Sequence, residues 1–108
     1  MSKYLWTVSY SAEGARGLIK DGAAGRPAIV KGLVGAAGGA VEAFYFAFGT
    51  EDAILIVDLP SNVDAAAVSL AVSASGAVSV RTTTLLTIEE ADAAAVKARA
   101  FTYRPPGA

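Results

Sequence analysis

The chain of 108 residues has the length of one domain, and its net charge of −1, without any block of basic residues, argues against a nucleic-acid-binding surface. Cysteine and histidine are both absent, which excludes disulfides, thiol nucleophiles, histidine-containing catalytic triads, haem held by a proximal histidine and the usual zinc sites. Only 18% of the residues are charged, against about 25% in a typical domain. Because so little polar material is present to cover a small globule, we expect a homo-oligomer.

The sequence contains no signal for export or for membrane insertion. No positively charged segment followed by an apolar core opens the chain. Its longest apolar stretches fall well short of the ~20 residues that a membrane-spanning helix requires. We therefore expect a cytoplasmic protein without a membrane partner.

The first predicted elements are a strand and a helix. Residues 3–11 alternate between apolar and polar, which is the period of a strand. The apolar face carries Tyr4, Trp6, Val8 and Tyr10. Ser11 then caps a helix over residues 12–21, although Gly14 occupies the position at which a capping box has glutamate or glutamine.

A second helix follows a glycine-rich break, because Pro27 suits a first helical turn. Its apolar stripe consists of Val30, Leu33 and Val34. The pair Gly38–Gly39 ends this helix. Gly32 and Gly35 lie inside it, where each costs up to about 1 kcal/mol relative to alanine. They indicate either close packing against another element or tolerated drift.

Two strands joined by an acidic turn form a predicted hairpin over residues 40–48 and 53–59. On the first of these strands, alternation predicts one face with Glu42, Phe44, Phe46 and Phe48, and another with Val41, Ala43, Tyr45 and Ala47. The second strand is apolar on both faces. The turn between them consists of Gly49, Thr50, Glu51 and Asp52.

The last part of the chain predicts a helix, a strand and a further helix. Ser61 or Asn62 caps a helix over residues 63–75, and Gly76 ends it. The predicted inward face of this helix carries Ala67, Leu70 and Ala71. Residues 77–87 form a fourth strand, and the capping-box spacing from Thr87 to Glu90 begins a helix over residues 88–100. We therefore expect a domain over residues 1–100 and a tail over residues 101–108.

The element order β-α-β-β-α-β predicts an α+β, ferredoxin-like fold with a four-stranded antiparallel sheet and an added C-terminal helix. The helices of such a fold cover one face of the sheet. Because the strands are apolar on both faces, the other face also requires a cover. We expect two sheets to pack face to face in a homodimer, as a dimeric α/β barrel, or in a larger oligomer of such dimers.

Three stretches carry a family resemblance: FYFAFGTEDAILIVDLPSN, GAVSVRTTTLLTIEEAD and, upstream of both, GARGLIKD…GR…GLVGAAGG. They are similar to the GYD-domain family of the dimeric α/β-barrel superfamily, over Tyr4–Asp92. The family is named after a turn that consists of Gly, a spacer residue, Tyr and Asp. In this namesake turn Gly49 and Asp52 match, whereas Glu51 replaces the tyrosine. The resemblance implies the fold and the dimer but no established activity. The superfamily includes cofactor-independent monooxygenases, isomerase-like and dehydratase-like enzymes, haem-binding proteins and ligand sensors.

Asp52 and Arg81 are the candidate catalytic residues. Asp52 acts either as a general base or as an acceptor for backbone N–H groups at the turn. Glu51 next to it is typical of a solvated hairpin bend. Arg81 either clamps a carboxylate or phosphate group of a ligand, or pairs with a carboxylate on a neighbouring strand. The candidate partners for this ion pair are Asp58, Glu42 and Asp52.

Trp6, Tyr10, Tyr45 and Arg81 are the candidate ligand-binding residues. The three aromatic residues either line a pocket for a hydrophobic or aromatic metabolite, or belong to the core or a dimer interface. The sequence favours a protein that binds a small molecule without a metal or nucleotide cofactor. The alternatives are a cofactor-independent monooxygenase-like or isomerase-like enzyme with Asp52 as general base, and a purely structural oligomerisation module.

Overall fold

The computed structural model describes all 108 residues and contains four strands and four helices. The elements are β1 (Ser2–Tyr10), α1 (Ala12–Asp21), α2 (Arg26–Ala36), β2 (Ala40–Phe46), β3 (Ala53–Leu59), α3 (Asn62–Ser73), β4 (Val78–Leu85) and α4 (Ile88–Ala98). All strands form one antiparallel sheet in the order β2-β3-β1-β4. This order is that of a ferredoxin-like α+β fold, so the predicted fold class is confirmed. The predicted element bounds agree with the observed ones to within two residues.

The core lies between one face of the sheet and helices α2 and α3. Its buried residues are Tyr4, Trp6, Val8, Val34, Ala53, Leu55, Val57, Leu59, Ala65 and Val68. Strands β1 and β3 contribute every second residue, as the period of a strand requires. Helix α2 contributes Val34, with Val30 and Leu33 packed against the core, which confirms the apolar stripe predicted for it.

The inward face of α3 differs from the prediction. The sequence pattern predicts Ala67, Leu70 and Ala71 on that face. This is wrong, because all three are exposed and Leu70 retains 71% of its accessible surface. Ala65 and Val68 are buried instead, and Val72 packs against the core. Because α3 is apolar almost all round, its sequence does not distinguish one stripe from the next.

A β-bulge in β2 changes which residues share a face. The register between β2 and β3 shifts between Val41 and Ala43. An extra residue inverts the alternation of a strand. Val41 therefore lies on the helix-covered face with Phe44 and Phe46, and the predicted grouping of Glu42 with these phenylalanines is wrong. Glu42 lies on the open face, where it accepts a hydrogen bond from Lys3 Nζ at 2.7 Å.

The space around three glycines shows which of them packs closely against another element. A Cβ on Gly14 would overlap the carbonyl oxygen of Ala77, so the start of α1 approaches the start of β4 too closely for a side chain. No atom lies within 4 Å of a Cβ placed on Gly32 or Gly35 in α2. Of the two interpretations offered for these α2 glycines, drift therefore agrees with the structure and close packing does not.

The C-terminal segment projects from the rest of the domain. The predicted capping box at Thr87 and Glu90 is present and begins α4. Every residue of the segment 86–108 is exposed. The radius of gyration is 17.3 Å, against about 13 Å for a compact domain of roughly this length. None of the four helices has the length and the apolar character that a membrane-spanning helix requires.

Candidate functional site

An apolar pocket of about 80 Å³ lies between the sheet and helices α2 and α3. Thirteen of its fifteen lining residues are hydrophobic, so its surface favours an apolar occupant. The floor comes from all four strands, and the walls come from the apolar stripes of the two helices. Short side chains face the space from three elements, among them Ala53 on β3, Val80 on β4 and Val68 on α3. Because these residues are small, the facing elements leave the pocket unfilled.

Trp6 lines the apolar pocket and carries a buried polar group without a hydrogen-bond partner. Its side chain is 4% exposed, and its indole Nε1 is buried without any hydrogen-bond partner. No other buried side-chain nitrogen or oxygen atom lacks a partner. A buried donor without an acceptor costs about 1–3 kcal/mol, so such groups are rare in native structures. The indole N–H is therefore a candidate binding group.

Tyr10 and Arg26 connect this pocket to a second cavity. That cavity has a volume of about 350 Å³, and its lining comes from α1, α2 and the start of β4. Tyr10 and Arg26 line both spaces and are half-buried. The second cavity is more polar, since Glu13 and Asp21 of α1 also line it. The two spaces together offer an apolar interior beside a charged compartment.

Tyr45 and Arg81 lie on the open face of the sheet, away from the pocket. Tyr45 pairs with Ile54 across β2 and β3 and is 71% exposed. Arg81 lies opposite Thr7 on β1, and its guanidinium forms an ion pair with Glu51. Arg81 thus forms an ion pair, but none of the predicted partners Asp58, Glu42 and Asp52 takes part in it. The structure brings Trp6 and Tyr10 together at the pocket and separates them from Tyr45 and Arg81.

Asp52 extends the hydrogen bonding between β1 and β3 beyond their last residue pair. That pair is Val8 with Ala53. The backbone N–H of Asp52 donates to the Val8 carbonyl at 2.8 Å, and its carboxylate accepts the backbone N–H of Tyr10 at 2.7 Å. The side chain therefore satisfies a strand end, which agrees with the predicted backbone-capping role. Asp52 lines neither of the two cavities, and its role as a general base stays a prediction.

A family comparison covers most of the chain. The family model of the GYD domain matches residues 4–95. The chain belongs to the GYD-domain family. No curated protein and no solved structure shows a significant match. The predicted family resemblance is therefore confirmed, over the sheet and the first part of α4.

The namesake turn of this GYD domain has a structural explanation for its altered residue. Glu51, which replaces the family tyrosine, forms the ion pair with Arg81 and accepts a weak hydrogen bond from the Ser9 hydroxyl at 3.4 Å. These contacts connect the turn to β1 and β4 on the open face. The altered turn thus contributes to the sheet and does not reach the pocket.

Lys3 connects two carboxylates at the opposite end of the open face. Its Nζ donates to Glu42 at 2.7 Å and to Asp58 at 2.9 Å. These hydrogen bonds, the one to Glu42 first, raise the pKa of Lys3 above its ordinary value of 10.5. The ion pairs stabilise the bulged strand β2 against β3 and β1. No three side chains of aspartate, glutamate, histidine or cysteine lie close enough together to hold a metal ion.

Arg26 is a candidate site residue that the sequence analysis missed. It is the first residue of α2, and the first turn of this helix contains no acidic residue. A cation at a helix N-terminus opposes the helix dipole, so acidic residues are the usual choice there. This unfavourable placement, directly before Pro27, is a signal that the sequence contains. Local rules are often violated at functional sites, so such a residue is worth testing.

Proposed function

We propose that this GYD domain binds a small, mainly apolar molecule that carries one hydrogen-bond acceptor, in the pocket between the sheet and helices α2 and α3. The observation that carries the proposal is an apolar pocket whose lining residue Trp6 has a buried Nε1 without a hydrogen-bond partner. An oxygen atom of the ligand accepts this N–H. Binding then recovers much of the roughly 1–3 kcal/mol that an unpaired buried donor costs.

The size and the polarity of the pocket narrow the class of occupant. The volume of about 80 Å³ restricts the occupant to a small molecule with a short carbon chain. A short aliphatic group with one oxygen fits this mainly apolar lining.

The single tryptophan of the chain makes the proposal testable without a label. We expect diethyl ketone, which carries an acceptor, to bind more tightly than pentane and to shift the Trp6 indole N–H resonance downfield. The substitution Val68→Leu adds a methylene group to the lining and is expected to weaken ketone binding. Val63→Leu makes the same change at an exposed position of the same helix and serves as the control.

Two outcomes would contradict this proposal. If the indole resonance does not respond to the ketone, Trp6 does not meet a ligand acceptor. If Val68→Leu and Val63→Leu bind the ketone alike, the molecule binds somewhere other than the pocket. No observation favours catalysis over binding, because the carboxylate of Asp52 accepts a backbone N–H and lines neither cavity.

Self-association is a second candidate function, favoured by the apolar surface that a single chain leaves exposed. Only ten of the 108 residues are buried. The open face of the sheet carries Leu5, Ile54 and Ile56 in its centre. The projecting segment 86–108 adds five large exposed hydrophobic residues: Leu86, Ile88, Val96, Phe101 and Tyr103. A second copy is the occupant that we propose, because a two-fold dimer can cover the open face and the projecting segment of both chains at once.

Light scattering combined with size exclusion tests the homodimer. We expect the wild-type protein to be a dimer and Ile54→Lys to dissociate it, since a lysine would lie at the centre of the open face. Ile19→Lys introduces the same charge at an exposed position of α1 and should leave the dimer intact. A monomeric wild-type protein, or equal behaviour of the two variants, would contradict the proposal.

A further inference from the structure

We infer that the pocket binds a short-chain oxo- or hydroxy-monocarboxylic acid, whose carboxylate is held by Arg26. This inference rests on the proposed binding function and specifies the chemistry of the ligand. Arg26 lines both the apolar pocket and the charged cavity next to it, so it lies where the two spaces meet. Its side chain takes part in none of the ion pairs or side-chain hydrogen bonds of the chain. A half-buried arginine without an ion-pair partner at the edge of an apolar pocket is suited to bind a carboxylate.

The position of Arg26 in α2 supports an anionic partner. Arg26 is the first residue of the helix, Gly25 before it provides no side-chain cap, and no acidic residue occupies the first turn. The positive end of the helix dipole and the positive side chain therefore lie together, which is unfavourable in the free protein. An anion at this position interacts favourably with both. The helix terminus thus adds to a site that Arg26 and the buried Trp6 Nε1 define independently of it.

The neighbouring carboxylates restrict the charge of the ligand. Glu13 and Asp21 line the second cavity together with Arg26. Neither of them pairs with Arg26 in the structure. Their negative charges oppose the attraction of Arg26 for an anion, so a dianion such as a phosphate monoester is disfavoured more strongly than a monoanion. One carboxylate is the charge that this arrangement accommodates best.

The two polar groups and the small volume together define the ligand class. Trp6 Nε1 is a buried donor without an acceptor, and Arg26 is a cation that lines the pocket without an ion-pair partner. The apolar space of about 80 Å³ between the walls leaves room for only a short carbon chain. A keto or hydroxyl oxygen on a short carboxylic acid supplies both polar groups in one molecule. Levulinate, the short keto acid, is therefore the probe of choice.

Three related probes separate the contributions of the two polar groups. We expect levulinate to bind the wild-type protein about tenfold more tightly than the neutral levulinamide, which corresponds to ~1.4 kcal/mol. Pentanoate, which lacks the keto oxygen, should bind more weakly than levulinate and leave the Trp6 indole resonance unshifted. Added salt should weaken the binding of levulinate but not that of levulinamide.

Arg26→Gln is expected to remove the preference for levulinate over levulinamide. Arg16→Gln is the matched control, because Arg16 is exposed on α1 and lines neither cavity. Equal binding of levulinate and levulinamide by the wild-type protein would overturn the role of Arg26 and leave the proposed pocket standing. If none of the three probes binds, the proposed pocket function fails as well. The wild-type comparison and its salt dependence decide the matter even if Arg26→Gln does not fold.

Discussion

The contact between the start of α1 and the start of β4 makes a strong prediction for Gly14. The substitution Gly14→Ala places a Cβ against the carbonyl oxygen of Ala77, which is a backbone atom and cannot rotate away. That oxygen accepts the backbone N–H of Ser11 at 2.9 Å and the Ser11 hydroxyl at 3.2 Å. The added methyl group must therefore displace the N-terminus of α1 from the sheet.

The magnitude follows from three effects. Overpacking of this kind costs about 1–3 kcal/mol. Loss of one hydrogen bond from Ser11 to Ala77 costs a further ~0.5–1.5 kcal/mol. The higher helix propensity of alanine offsets about 1 kcal/mol of this. We expect Gly14→Ala to lower the free energy of unfolding by about 2 kcal/mol, which for a domain of this size lowers Tm by about 10 °C.

Gly17→Ala is the matched control for this prediction. Gly17 lies in the same helix, and no atom lies within 4 Å of a Cβ placed there. Alanine at this position should raise the free energy of unfolding by about 0.5–1 kcal/mol. Urea unfolding followed by Trp6 fluorescence measures both variants. If Gly14→Ala is as stable as Gly17→Ala, α1 does not contact β4 as described and the reasoning fails.

Three further substitutions test other contacts of the fold. Lys3→Met should destabilise the protein at neutral pH, and the advantage of the wild type should vanish as the pH rises beyond the raised pKa of Lys3, above 10.5, because the lysine then loses its charge. Asp52→Ala should lower the free energy of unfolding, measured in urea, by about 1.5–2 kcal/mol, since the Tyr10 N–H loses a charged acceptor. Thr87→Ala removes the cap of α4 and should reduce helicity in circular dichroism, with a cap worth ~1 kcal/mol. A wild-type advantage of Lys3 that persists at high pH, or unchanged values for the other two, would contradict the contacts described.

The sequence predicts most of the fold because several local signals agree. Strand β3 has its predicted bounds, since Pro60 follows a run that is apolar except for Asp58. The capping box at Thr87 and Glu90 marks the start of α4 to the residue. Such signals involve only neighbouring residues, so a single sequence contains them in full.

The faces of α3 and β2 were predicted incorrectly for reasons that the local sequence pattern does not contain. Helix α3 is apolar on nearly all sides, and only the packing against β4 and β3 selects Ala65 and Val68 as its buried residues. The bulge in β2 arises from pairing with β3, and the sequence between Val41 and Ala43 does not indicate it. Tertiary contacts decide both cases. A periodicity argument on one segment could not have found either.

The candidate site was predictable in part from the alternation of side chains between the two faces of a strand. Val78 and Val80 of β4 face the core, so Arg81 must face the other side of the sheet. The same alternation places Trp6 and Tyr10 on the core side together. Alternation alone does not reveal that Trp6 Nε1 lacks an acceptor or that Arg26 reaches the edge of the pocket. Those properties depend on how α2 crosses the sheet.

The two proposed functions use opposite faces of the sheet. The pocket with Trp6 lies on the helix-covered face, and the surface around Ile54 lies on the open face. Because residues of one strand alternate between the faces, a side-chain change on one face leaves the contacts of the other largely intact. Val68→Leu should therefore weaken ligand binding without altering the oligomeric state, and Ile54→Lys should do the reverse. If either substitution changes both properties, the pocket is completed by the partner chain, and ligand binding and assembly are one function.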